Sequence, residues 1–213
     1  MAGNVVVSRP TLYAMTLPPN NSGDISEGIV PQRSATIDGK SVAVFDHLVP
    51  GNIVNRIKEI LDASPFQHNE IARPDTAQYR HWANNMTVEA ARNLPFHSPT
   101  LAAAKAMGRG DFSVYRAYTN FAAFGDMLFT HTDCLPGAGE LTALWFVSQQ
   151  WDVEWGGETL FFNADNDAEF VVSPKPGRLV LFDGELRHCG RPPNRICTEP
   201  RYTLAFKLEP AAK

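Results

Sequence analysis

Residues 141–182, LTALWFVSQQWDVEWGGETLFFNADNDAEFVVSPKPGRLVLF, contain short runs of β-forming residues separated by turn signals. Glycine and proline mark the turns, as in Trp155-Gly156-Gly157 and Pro176-Gly177. Many short strands without long helices between them predict a β-sandwich or jelly roll. With their neighbours on either side, the predicted strands are Phe112–Tyr118, Met127–Thr130, Leu141–Ser148, Thr159–Phe162, Glu169–Val172, Arg178–Phe182 and Tyr202–Leu208.

Helices are predicted before this β-rich segment. One begins at Val49-Pro50-Gly51-Asn52 and ends at Ser64-Pro65, with isoleucine and leucine at helical spacing along one side. A second begins at Ser98-Pro99 and stops at Gly108. We expect the first helix to support one face of the sheet.

The first 40 residues have a different character from the rest of the chain. They are rich in proline, glycine, serine and asparagine, which predicts an irregular arm with one short strand at Val5–Val7. The arm is either a disordered tail or a segment that packs on the sheet edge or covers a site. Residues 41–213 are predicted to form a single domain with its β core at about 112–208.

Composition limits the classes of function. The chain has 213 residues, 44% of them hydrophobic, and a formal net charge of −4, which fits a globular domain. No block of Lys and Arg predicts a nucleic-acid partner, and no apolar stretch is long enough to predict a membrane partner. The three cysteines form no C-x-x-C pair, and no secretory signal is visible. We therefore expect a cytoplasmic location with free thiols.

A candidate metal site begins at His131-Thr132-Asp133. On an extended strand end these two ligands point to the same side, so both can bind one cation. His188 follows the end of a predicted strand and can arrive from a facing sheet. Two imidazoles and one carboxylate on one face of a metal leave the opposite face open, as in non-haem Fe(II) oxygenases. Zinc hydrolases also use three protein ligands, so the triad alone leaves both chemistries open.

Arg201 favours the oxygenase. It precedes the apolar run Tyr202–Phe206, which predicts that its side chain points into the sandwich. A buried guanidinium needs an anionic partner, and no acidic residue is an obvious mate. A ligand with one carboxylate on Arg201 and a 2-keto acid on the metal is 2-oxoglutarate. Tyr115, Tyr118 and Thr203 are candidates for neutral hydrogen bonds to it, whereas the alternative is that Arg201 is a surface charge.

The ordered set of motifs resembles the prolyl 4-hydroxylase-like group of the 2-oxoglutarate/Fe(II)-dependent dioxygenase superfamily over about residues 112–208. The matching elements are His131-Thr-Asp133, Thr142–Ser148, Trp151-Asp152, Gly156–Leu160, Pro174–Phe182, His188 and Arg201-Tyr202.

The resemblance implies a double-stranded β-helix, a jelly-roll or cupin-like fold that is mainly β, with helices supporting one sheet. It implies that His131, Asp133 and His188 bind iron and that Arg201 anchors the 2-oxoglutarate C5 carboxylate, assisted by Tyr118. Fe(II), 2-oxoglutarate, O2 and ascorbate as reductant would be the cofactors and cosubstrates. Related halogenases replace the acidic ligand with a small residue, so Asp133 favours hydroxylation or another oxidation.

The substrate is less constrained by the sequence. Arg80, Arg116, Trp155 and Arg187 are candidates for recognising an anionic or flat group, and His81 or Asn84 could also face the cleft. A compact chain without an accessory domain favours a small molecule such as an amino acid or a biosynthetic intermediate. A prolyl residue in a peptide or protein is the alternative. A non-enzymatic jelly-roll binding module and a cupin-type metal isomerase or hydrolase are the competing classes.

Overall fold

Two antiparallel sheets form the framework of the computed structural model, which describes residues 28–211. The larger sheet has eight strands and the smaller has three, so this part of the chain is mainly β, as predicted. The strands are β1 (Arg33–Ile37), β2 (Lys40–Phe45), β3 (Gln67–Glu70), β4 (His81–Met86), β5 (Phe112–Ala122), β6 (Leu141–Phe146), β7 (Thr159–Phe162), β8 (Ala168–Val172), β9 (Leu179–Asp183), β10 (His188–Gly190) and β11 (Arg201–Pro210).

The strand order is that of a jelly roll. The larger sheet runs β1-β2-β9-β6-β11-β5-β4-β3, and the smaller runs β10-β7-β8. Strands that are distant in sequence are therefore neighbours in space, as in the pairing of β11 with both β5 and β6. This order places side chains of β5, β10 and β11 around one cavity between the sheets.

Three helices cover the outer face of the larger sheet: α1 (Gly51–Ala63), α2 (Val88–Arg92) and α3 (His97–Ala106). Buried side chains of all three helices share one apolar cluster with β2, β6, β9 and β11. Trp145 on β6 packs against Phe96 at 4.9 Å and donates a hydrogen bond to Thr100 Oγ1 at 2.8 Å. The predicted support of one sheet by helices is confirmed.

The inner face of the larger sheet packs against the smaller sheet. Val180, Phe182 and Phe146 meet Phe161 and Phe170 in a second apolar cluster. Because side chains alternate along a strand, β11 places Tyr202, Leu204 and Phe206 toward the helices and Arg201, Thr203 and Lys207 toward the smaller sheet. One strand thus contributes to the core and to the cavity.

Several predictions differ from the structure. Arg33–Ile37 lies within the predicted irregular arm, yet it pairs with β2 along its length because Ile37 is buried between the sheets. Val5–Val7 lies outside the described residues. Met127–Thr130 is not a strand. No helix within residues 28–211 combines the length and apolar character needed to cross a membrane.

Candidate active site

Backbone pairing brings the predicted metal ligands together. His131 and His188 form an antiparallel bridge in which each N–H donates to the other residue's carbonyl oxygen at 3.0 Å. The N–H of Asp133 donates to the carbonyl oxygen of Gly184 at 2.7 Å. The segment at 131–133 is thereby fixed against the start of β10.

The three side chains converge on one point. Among the described residues, His131, Asp133 and His188 each offer a ligand atom, and these atoms lie within 4.8 Å of one another. His131 Nε2 is 3.4 Å from Asp133 Oδ1, and His188 Nε2 is 3.5 Å from Asp133 Oδ2. Atoms at these separations can share a single cation, so the triad is capable of binding a metal.

The outer contacts of both imidazoles favour metal binding. His131 Nδ1 lies 2.8 Å from the carbonyl oxygen of Phe129, and His188 Nδ1 lies 2.9 Å from that of Leu186. A carbonyl oxygen only accepts hydrogen bonds, so each Nδ1 carries a proton and each Nε2 is the ring nitrogen available to a metal. Backbone carbonyls commonly orient metal-binding histidines in this way.

Electrostatics keeps two of these ligands in the states that metals bind. Burial lowers the pKa of His188 to about 4, so its ring is neutral at neutral pH. Burial alone would raise the pKa of Asp133, but the Lys207 ammonium in contact with it outweighs that effect and holds the pKa well below its usual range. Neutral imidazole and ionised carboxylate are the ligating forms.

Arg201 is buried, 3% exposed, and lines the same cavity. Its Nε donates to the carbonyl oxygen of Gly157 at 2.6 Å, and its Nη2 donates to Thr159 Oγ1 at 3.0 Å. Burial lowers its pKa to about 10, which leaves the guanidinium protonated at neutral pH. No carboxylate in residues 28–211 forms an ion pair with it, so the predicted need for an anionic ligand remains.

The three predicted helpers of Arg201 occupy different places in the cavity wall. The Oγ1 of Thr203 is buried without a hydrogen-bond partner in the described chain, on the same face of β11 as Arg201. Tyr118 on β5 pairs with Ala205 on β11, so its position along β11 lies between Arg201 and Lys207. Tyr115 donates its hydroxyl hydrogen to Glu140 at 2.6 Å.

Lys207 is a buried cation that the sequence interpretation missed. It is 5% exposed, and its Nζ contacts Asp133 Oδ2 directly. Nζ also donates to Thr142 Oγ1 at 3.1 Å, and that hydroxyl donates to the same Asp133 oxygen at 2.6 Å. Asp133 Oδ2 is therefore positioned by Lys207 and Thr142, neither of which belongs to the triad. The sequence could have identified Lys207, because side-chain alternation along β11 places it on the same face as Arg201 and Thr203.

Of the four residues predicted to contact substrate, only Arg116 lines the cavity. Arg80 is exposed and lies outside it. Trp155 packs edge-on against Trp151 at 5.4 Å, and Arg187 donates a hydrogen bond to Asn166 at 2.6 Å. The structure also places His81 on β4, a sequence candidate, at the cavity. Glu70 on β3, which the sequence analysis did not name, lines it as well, because the broken sequence pattern gave no clear strand face.

Comparison with known proteins agrees with this geometry. Residues 115–207 match the model of the 2OG-Fe(II) oxygenase superfamily. The chain carries a 2OG-Fe(II) oxygenase domain. Its fold is similar to a Pseudomonas putida prolyl-4-hydroxylase, with a TM-score of 0.58 at 19% identity, over 80% of this chain and 93% of that one.

Other solved oxygenases share the fold. A Trichoplax adhaerens prolyl hydroxylase, solved with a hypoxia inducible factor peptide, has a TM-score of 0.58 at 14% identity, over 79% of this chain and 83% of that one. The epimerase SnoN of nogalamycin biosynthesis has a TM-score of 0.60 at 13% identity, over 80% of this chain and 78% of that one. Comparison with curated proteins finds no match.

The matched segment, residues 115–207, indicates a dioxygenase enzyme that uses Fe(II), 2-oxoglutarate and O2. The structure fits this cofactor set on its own evidence. The triad presents two imidazole Nε2 atoms and an ionised carboxylate, and the buried Arg201 guanidinium, which has no carboxylate partner in the described chain, lies in the same cavity.

Proposed function

We propose that this oxygenase hydroxylates an unactivated C–H bond of a small molecule, with conversion of 2-oxoglutarate to succinate and CO2. In this proposal His131, Asp133 and His188 hold Fe(II), and Arg201 binds the far carboxylate of 2-oxoglutarate. The observation that carries it is the joint placement of the triad and the Arg201 guanidinium in one cavity.

Each residue has a physical task. Bound Fe(II) supplies the O2 activation that couples oxidation of 2-oxoglutarate to oxidation of the substrate. The Nδ1–H bonds to Phe129 and Leu186 fix both imidazole planes. Arg201 offers a planar fork that grips a carboxylate with two hydrogen bonds. Because its Nε is tied to Gly157, the fork is oriented before the cosubstrate arrives.

The size of the cavity supports a small substrate. It encloses about 270 Å³, which is below the usual range for ligand pockets, and 2-oxoglutarate must share it. A single prolyl side chain of a peptide would also enter, and two of the similar structures are prolyl hydroxylases. Hydroxylation of a prolyl peptide is therefore the second candidate.

Turnover assays test the proposal. With Fe(II) and 2-oxoglutarate, we expect succinate release that requires O2 and that a correct substrate stimulates. A cupin-type hydrolase or isomerase would act without O2, and a binding module would release no succinate. Either result would reject the proposal.

Variants test the assigned roles. His131→Ala should abolish succinate release, because two protein ligands hold the metal poorly. Arg201→Ala should raise the 2-oxoglutarate concentration needed for half-maximal rate about a hundredfold, the scale of a lost charge-assisted pair of hydrogen bonds. An unchanged 2-oxoglutarate dependence would remove Arg201 from the site.

A further inference from the structure

One wall of the cavity is built from three adjacent strands of the larger sheet and has no role in holding metal or 2-oxoglutarate. It contains Glu70 at the end of β3, His81 at the start of β4 and Arg116 on β5. Glu70 and His81 are directly paired across β3 and β4. The three side chains therefore form one continuous polar surface beside the triad.

This surface presents two opposite charges side by side. Arg116 Nη2 lies 2.9 Å from Glu70 Oε2, and the guanidinium lies over the ring of Tyr118 at 4.4 Å. That ion pair is the only side-chain hydrogen bond of Arg116 within residues 28–211, so most of its five N–H donors are free for a ligand. A partly exposed pair of this kind contributes little to stability, so a ligand can rearrange it readily.

His81 gives independent evidence that the surface binds a polar ligand. Its side chain lines the cavity, the residue is only 6% exposed, and its Nδ1 has no hydrogen-bond partner in the described chain. A buried polar atom without a partner is rare in a folded protein and requires an explanation. Burial lowers the pKa of His81, so the ring is neutral and can accept or donate one hydrogen bond.

We infer that Glu70, Arg116 and His81 bind the ammonium and carboxylate groups of a zwitterionic substrate, a free α-amino acid. This inference rests on the proposed function and names its substrate class. A ligand with only a carboxylate would meet repulsion from Glu70, and one with only an ammonium group would meet repulsion from Arg116. An α-amino acid carries both charges on one carbon atom and complements both residues.

The same argument excludes a peptide as the preferred substrate. An internal residue of a peptide has lost both charges to amide bonds, so it offers neither group to this surface. A neutral backbone over the Glu70–Arg116 pair would remove water from both charges without offering either of them a charge from the ligand. The wall thus selects the free amino acid over the prolyl peptide.

Matched ligands test the inference in the holoenzyme. The probes are the standard L-amino acids, their carboxamides and their N-acetyl derivatives, assayed by stimulation of succinate release. Binding is measured separately by the rise in melting temperature of protein loaded with Mn(II) and 2-oxoglutarate. We expect at least one amino acid to act at a tenfold or greater lower concentration than its own amide and its own N-acetyl derivative in both assays.

Two variants should remove the two preferences separately. Arg116→Met should lose the preference for the amino acid over its carboxamide, and Glu70→Gln should lose the preference over the N-acetyl derivative. Arg80→Met is the control, since Arg80 is exposed and lies outside the cavity; it should keep both preferences. Retention of either preference by the matching variant would overturn the inference.

Failure of the inference differs from failure of the proposed function. O2-dependent succinate release without any response to amino acids, or with equal response to the blocked derivatives, would overturn the zwitterion site and leave the oxygenase assignment intact. If no succinate forms under any condition, the proposed function fails, and equal thermal shifts by the free and blocked ligands would overturn the zwitterion site as well.

Discussion

At the scale of single residues, Gly190 is placed where any side chain would disturb the 2-oxoglutarate anchor. A Cβ at this position would lie 3.1 Å from Arg201 Nη2 and 3.2 Å from Nη1. We predict that Gly190→Ala raises the KM for 2-oxoglutarate about tenfold, because the guanidinium must move from its carboxylate-binding position. Steady-state kinetics with varied 2-oxoglutarate measure this.

Gly51 provides the matched control for Gly190. It is the first residue of α1, and a Cβ there would meet no atom within 4 Å. Gly51→Ala should leave the KM for 2-oxoglutarate unchanged. Equal KM values for both variants and the wild type would show that Arg201 does not anchor the cosubstrate.

Lys207 compensates the charge of Asp133 when no metal is bound. We predict that Lys207→Met lowers the free energy of unfolding of the metal-free protein by about 3 kcal/mol, because a buried carboxylate loses its cation. A bound divalent cation restores that compensation. The rise in melting temperature caused by Mn(II) should therefore be larger in Lys207→Met than in the wild type.

Lys105→Met is the control for this pair of measurements, since Lys105 is exposed on α3. It should change neither the unfolding free energy nor the Mn(II) effect appreciably. A smaller Mn(II) effect in Lys207→Met than in the wild type would mean that Lys207 mainly orients Asp133 for the metal.

At the scale of elements, a buried ion pair ties the end of β2 to the start of β9. Arg178 Nε and Nη2 donate to the two carboxylate oxygens of Asp46 at 2.7 and 2.8 Å, and Nη1 donates to the carbonyl oxygen of Ser173 at 2.9 Å. Arg178 is 5% exposed. The pair fixes β2 beside β9, and through it β1 at the edge of the sheet.

We predict that Asp46→Asn lowers the free energy of unfolding by about 2 kcal/mol at neutral pH, because Arg178 would remain buried without its anion. The hydrogen bonds from Arg178 lower the pKa of Asp46 below its ordinary value of 3.8. A lowered pKa stabilises the folded state above pH 3.8, and that stabilisation disappears as the pH falls through the lowered value. Urea titrations at several pH values measure the difference between variant and wild type.

The difference should therefore shrink in acid below pH 3.8, where Asp46 of the wild type becomes protonated. Asp75→Asn serves as the control, because the Arg73–Asp75 pair is solvent-exposed and should contribute little at any pH. If the destabilisation by Asp46→Asn did not depend on pH, it would arise from altered packing and not from the lost charge.

The elements also show how far the sequence determines the site. Glycine- and proline-marked turns and apolar runs were enough to predict most strands from 112 to 208, and the chemistry of the residue types was enough to select the triad and Arg201. Lys207 was missed because the interpretation considered only the apolar run Tyr202–Phe206, although alternation places Lys207 on the same inner face as Arg201.

The remaining errors arise from tertiary contacts. Met127–Thr130 resembles a strand in composition, but only His131 beyond it pairs, through its bridge to His188. The role of His81 depends on its pairing with Glu70 of β3 and on the cavity that β5 and β11 line. No local sequence pattern specifies these contacts. Arg80 was named beside its neighbour His81 because alternation on β4 could not be assigned to a face without β5.

At the scale of the whole molecule, the metal ligands line the cavity, and His131 belongs to neither of the two apolar clusters that hold the fold together. Two apolar clusters, one under the helices and one between the sheets, hold the fold without them. We therefore predict that His131→Ala keeps the circular dichroism spectrum of the wild type. The variant should lose the rise in melting temperature that Mn(II) causes in the wild type, since that rise measures binding to the folded state.

Global unfolding of His131→Ala would assign the residue a structural role. A retained Mn(II) effect would place the metal elsewhere in the protein.

The central claim is that one metal ion and one cosubstrate occupy the cavity between the sheets. Anomalous diffraction from a crystal grown without O2, with Mn(II) and 2-oxoglutarate, tests this most directly. The account predicts one manganese peak in coordination distance of His131 Nε2, a carboxylate oxygen of Asp133 and His188 Nε2, with a 2-oxoglutarate carboxylate on Arg201. A manganese peak away from these atoms, or 2-oxoglutarate bound without Arg201, would contradict it.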